Sequence, residues 1–128
     1  MMRALEIFAV TQLTIVGLSH IVRHRAWAEF FIQLGALRHS GVFLHGLLSL
    51  AFGAMILALH PVWSGTPLVL TIVGVLYLMK TVQCFVSPNV SLRSLERVTP
   101  ERSRVFIGVG VFFLAIALVT TISLARGG

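Results

Sequence analysis

Residues 39–79, between Arg38 and Lys80, contain no Asp, Glu, Lys or Arg. That run is about twice the length of ~20 residues that carries a helix across a hydrocarbon core. Within it, His60-Pro61-Val62-Trp63-Ser64-Gly65 supplies Pro and Gly punctuation, so the run divides into two spans joined by a tight turn. Residues 7–22 and 105–125 are free of charge as well. These three runs predict four spans, at about 3–22, 40–59, 66–86 and 100–125.

Composition agrees. Charged residues make up 11% of the chain. A soluble domain carries about 25%. The low value excludes an ordinary soluble globule and a disordered chain. One cysteine, Cys84, excludes internal disulfides and cysteine-rich metal sites. Its small side chain near a span end is expected to be packed. The formal charge of +6 would suggest nucleic acid in a soluble protein. In an apolar chain it implies basic loops against anionic lipid headgroups, and no nucleic-acid partner.

Local signals place the span ends. Arg3 before an apolar run has the outline of a signal peptide, but Glu6 and Gln12 interrupt the run and no small-x-small site follows, so a retained anchor is expected. Ser40 is a plausible N-cap, and Thr66-Pro67 and Thr99-Pro100-Glu101 are start signals. Trp63 suits the headgroup level. Trp27, Phe30, Phe31 and Leu34 recur at helical spacing beside Arg25, Glu29, Gln33 and Arg38, predicting a short amphipathic interfacial helix over about 26–38. Leu92, Leu95 and Val98 suggest a weaker copy. Gly41-Val42-Phe43 and Gly110-Val111-Phe112 begin two spans alike, which hints at two hairpins split at the middle turn but is too short for a repeat.

Arg23, Arg25, Arg38, Lys80, Arg93, Arg97, Arg102 and Arg104 cluster around the first and third loops; only Arg3 and Arg126 lie elsewhere. The positive-inside rule then places those loops inside, with the termini and the Pro61 turn outside. The expected setting is a bacterial inner membrane.

Polar groups within spans are costly, so they mark function. His20, His45 and Lys80 fall at one depth of the inner leaflet, with Tyr77 and Gln83 on the helix face of Lys80. His45 stands one turn from Ser49, and Gln12, Ser19 and His20 form a stripe. These residues are a candidate polar layer or ligand pocket. His20 and His45 are also the candidate axial ligands of a haem b, the one cofactor considered; no other metal site is expected. The plainer alternative is local hydrogen bonding near helix ends. His20 and His24 have metal spacing, but Arg23 and Arg25 beside His24 favour an interfacial basic cluster. Glu6, near a span edge, is expected to be an exposed carboxylate. Gly46, Ser49 and Gly53 form a small-residue stripe for close helix approach, and Gly108 and Gly110 mark a fourth span that otherwise offers only apolar contact.

The expectation is an all-α polytopic membrane protein, an up-down-up-down bundle of four transmembrane helices with an interfacial helix after the first span, forming one domain over residues 1–128. No catalytic motif is present, so a non-enzymatic subunit or accessory component of a homo- or hetero-oligomeric membrane assembly is favoured. An oligomeric channel or carrier using the His/Lys layer, and a haem- or quinone-binding anchor, are the alternatives. The partners are the lipid bilayer and either further copies or a larger membrane complex.

Overall fold

The computed structural model describes residues 2–127, and the side chains of residues 3–127. The described chain is all-helical. Helices α1 (Met2–Val22), α3 (His39–Leu59), α4 (Leu68–Val86) and α6 (Val105–Ala125) are the long ones. Their spans have mean hydropathies of 1.6, 2.2, 1.9 and 2.7. Each is long enough to cross a bilayer. Two short helices, α2 (His24–Ala36) and α5 (Pro88–Glu96), follow α1 and α4.

The boundaries show where backbone chemistry overrides pattern. Ser40 is not the cap of α3; it lies inside the helix, and the break before it falls at Arg38, with φ 59°. Left-handed backbone at a residue with a Cβ is strained, and it turns α2 sharply into α3. Pro67 directly precedes α4. The fourth span opens as a 3-10 turn, Pro100–Arg102, before becoming α-helical at Val105.

The helices do not form two hairpins split at the middle turn. Helix α1 packs along α6, and α3 packs along α4, whereas α1 scarcely meets α3 and α4 touches α6 sparingly. Close backbone approach explains the choice. A Cβ built on Gly110 would lie 2.5 Å from Gly17 O and 2.8 Å from Ile21 Cγ1. A Cβ on Gly53 would lie 3.0 Å from Gly74 O, and one on Gly46 2.9 Å from Cys84 Cβ. Ser49 is buried between them and donates to His45 O at 2.9 Å. Each pair is thus closed by small residues, as interfaces without a hydrophobic driving force require. Gly108 differs from the expectation for it: nothing lies within 4 Å of a Cβ there, so it takes no part in the seam.

The two pairs meet at the end that carries the Pro61 turn. There Leu5, Ala9 and Leu13 of α1 cluster with Ile56, Leu70, Val73, Ile116 and Ala117. At the opposite, arginine-rich end, α2 and α5 fold beneath the bundle. Leu34, Val42, Cys84, Leu92 and Leu95 form a second cluster, with Phe31 against it. Helix α2 therefore turns Ala28 and Leu34 inward, leaves Phe30 exposed, and holds Trp27 and Phe31 half-buried. The weaker copy is α5, with Leu92 and Leu95 buried.

Gly110→Ala is expected to destabilise the bundle by about 1–3 kcal/mol through overpacking. Gly108→Ala should be neutral or slightly stabilising, because alanine is the better helix former. Unfolding in mixed micelles, followed by helical circular dichroism, separates the two; equal losses would refute the Gly17–Gly110 seam.

Candidate functional site

Two polar clusters occupy opposite ends of α1, one around Glu6 and one around His20. The helical rise between these two positions is about 21 Å.

The cluster at the turn end is not visible as a unit in the sequence. Glu6 is not an exposed carboxylate: it is 6% exposed, and His60 is fully buried. His60 Nε2 lies 2.6 Å from Glu6 Oε1, and its Nδ1 lies 3.1 Å from Thr71 Oγ1. Thr71 donates to Val62 O at 2.6 Å. With the Thr71 proton given to Val62 O, Nδ1–H of His60 donates to the Thr71 oxygen, and Nε2 shares a hydrogen bond with the Glu6 carboxyl. Burial without water makes such partners obligatory. The signal lies in the topology: up-down folding brings residue 6 to the level of the first turn after α3.

The second cluster is the predicted layer. A cavity of about 360 Å³ lies between the helix pairs, and His20, His45, Tyr77 and Lys80 are its polar lining. Trp27, Phe31, Phe106 and Phe113 add aromatic rings to the same lining. His20 is buried, His45 and Tyr77 are half-buried, and Lys80 is exposed. Gln83 lines a neighbouring cavity instead, and Ser49 belongs to the α3–α4 seam. The two cavities share Phe31, His45 and Lys80.

Aromatic packing fixes the walls. His20 stacks on Trp27 with ring centroids 4.0 Å apart at 14°, and meets Phe113 edge-on at 5.4 Å. Trp27 Nε1 donates to Ser19 Oγ at 2.9 Å, which anchors α2 to α1. Phe31 stacks on Phe106 at 5.4 Å and stands edge-on to His45 at 5.6 Å. His20 Nδ1–H donates to Val16 O at 2.7 Å. That leaves Nε2 as an acceptor in the neutral ring. Helix α6 is more than apolar packing: Phe106, Val109 and Phe113 line the cavity. Their i, i+3, i+7 spacing is a readable signal, hidden by the uniform hydrophobicity of that span.

Three properties bound the chemistry. The polar lining is His20, His45, Lys80 and the Tyr77 hydroxyl, with no carboxylate, so it favours acceptor-bearing or anionic ligands. Its volume is near the low end for small-molecule sites, enough for a substituted ring. A haem b held between His20 and His45 does not fit: the macrocycle would have to displace Trp27 and Phe113 from the face and edge of His20. Among the described residues no group of three His, Cys, Asp or Glu side chains is placed to hold a metal ion. His24 turns away from His20 and pairs through Nδ1 with Ser103 Oγ at 2.9 Å.

His60→Ala should cost about 3–5 kcal/mol, since it leaves a buried carboxylate unpaired. Glu6→Gln should cost less, because the amide oxygen still accepts from the ring. Denaturant titration in micelles measures both; a neutral His60→Ala would refute the pairing.

Comparison with protein-family models, with curated proteins and with solved structures finds no match.

Proposed function

We propose that this chain is a non-enzymatic component of a membrane assembly that holds a small lipid-soluble ring compound of the quinone class in the cavity between its helix pairs. One observation carries the proposal: hydrogen-bonding side chains and aromatic rings line the same cavity. Lys80, Tyr77 and His45 offer hydrogen bonds to ring carbonyls. Trp27, Phe31 and Phe113 offer faces and edges for the ring. A groove lined by Val73, Leu76, Phe112 and Phe113 starts at Tyr77 and Lys80, and is suited to an apolar tail.

Partnership follows from the chemistry. A protein that only holds such a molecule acts with something that uses it, either a further copy or another membrane subunit. Exposed large apolar side chains along α1 and α6, among them Ile15, Leu18, Val111 and Leu118, supply surface for lipid or for such a partner. The basic loops favour a cavity near the cytoplasmic side of a bacterial inner membrane, with both termini outside.

Transport through the His/Lys layer is less well supported. The apolar cluster of Leu13, Ile56, Leu70, Val73 and Ile116 lies between that layer and the turn end. A conducting path would require that cluster to open, whereas holding a ligand requires no movement.

Trp27 is the natural reporter. With Trp63→Phe removing the only other tryptophan, a short-tailed quinone should quench emission saturably at one molecule per chain. Lys80→Met and His45→Leu should each weaken binding about tenfold or more, roughly 1.4 kcal/mol. Quenching that is unsaturable, or unchanged in both variants, would refute the proposal.

A further inference from the structure

The second cavity differs from the first in chemistry. It has a volume of about 220 Å³ and lies where α2, α3, α4 and α5 converge. Its polar lining is His45, Lys80, Gln83, Ser91 and Ser94; Val42, Cys84 and Leu95 close its floor.

Two of these groups point to a ligand from outside the chain. Ser91 is 8% exposed, yet its Oγ has no hydrogen-bond partner. A buried hydroxyl without a partner is costly, which points to an external acceptor. Lys80 is the other. The ion pairs among the described residues are Arg38–Glu96 and Glu6–His60, and neither involves Lys80. A cation within a span and without a carboxylate partner calls for an anion from outside the chain.

Position identifies the source of that anion. Lys80 and Gln83 are exposed on the flank of α4, which ends at Val86. Lys80 therefore stands about 9 Å inside the helix end. A lysine stem covers much of such a distance by snorkelling toward the headgroups. Met79, Val82 and Val86, beside these two residues on α4, are 63%, 59% and 74% exposed. They offer a track for acyl chains next to a charged recess.

We propose that this recess binds the phosphate of an anionic phospholipid, with Lys80 supplying the charge, the Ser91 hydroxyl donating to a phosphate oxygen, and Ser94 and Gln83 completing the donor set. Arg93 and Arg97, exposed at the same end, add to the attraction for an anionic leaflet. The recess shares Phe31, His45 and Lys80 with the ring-binding cavity beside it, but Gln83, Ser91 and Ser94 line only this one.

The test uses the full chain in mild detergent, offered phosphatidylglycerol, phosphatidylcholine or inorganic phosphate, with bound species counted by native mass spectrometry. Phosphatidylglycerol should be retained about tenfold better than phosphatidylcholine, a difference of ~1.4 kcal/mol. Lys80→Met should abolish the preference and Lys80→Arg should keep it. Ser91→Ala should weaken it several-fold while quinone quenching of Trp27 stays unchanged. Ser94→Ala serves the same purpose if Ser91→Ala fails to fold. Equal retention of the two lipids, or a preference that survives Lys80→Met, overturns the proposal. Displacement of phosphatidylglycerol by excess inorganic phosphate overturns the lipid source in favour of the free ion.

Discussion

The contact between Glu6 and His60 governs how the bundle is put together. Each helix pair is closed by its own glycines, Gly17 with Gly110 and Gly53 with Gly74. Nothing in those seams says how one pair should sit on the other. The carboxylate of α1 and the imidazole at the end of α3 supply that instruction, 2.6 Å apart and sealed from solvent. An apolar core alone is tolerant of sliding, whereas a buried polar pair has one geometry in which it is satisfied. Thr71 extends the constraint to α4, so three helices are fixed at one level.

The same division explains the cavities. Leucines, isoleucines and alanines fill the space between the pairs where Glu6 and His60 hold them together. Toward the arginine-rich end the pairs are bridged by α2 and α5, whose aromatic and serine side chains line the space that the long helices leave. The residues that look expensive in a membrane, His20, His45 and Lys80, stand where the bundle is least filled.

Much of this is legible from charge placement. Spans follow from where charges are missing, and α2 follows from the spacing of Trp27, Phe31 and Leu34. The small-residue stripe of α3 and the common level of His20, His45 and Lys80 are also readable, because depth scales with residue count along a helix. Helix pairing is not. The stripe of α3 marks a contact face without naming its partner, and α6 is apolar all round, so no face of it declares one. Gly17 meets Gly110 across most of the chain, and neither is distinctive alone. His60 is obscured by its neighbours: beside Pro61 and Gly65 it has the pattern of a turn residue, and only the fold brings it to Glu6. The aromatic wall from α6 is hidden by the opposite effect, a span so uniformly apolar that Phe106 and Phe113 do not stand out.

Tight seams within pairs and sparse contact between them give the bundle an uneven stiffness. Motion that separates α1 from α6, or α3 from α4, must unseat backbone held at glycine distance. Motion of one pair against the other, pivoting on the turn end, disturbs far fewer contacts. The bundle is built like a clothes-peg, rigid in each arm, held directly at one end and only through the short helices at the other. The width of its interior at the other end is its most compliant dimension, and a molecule seated there would set it.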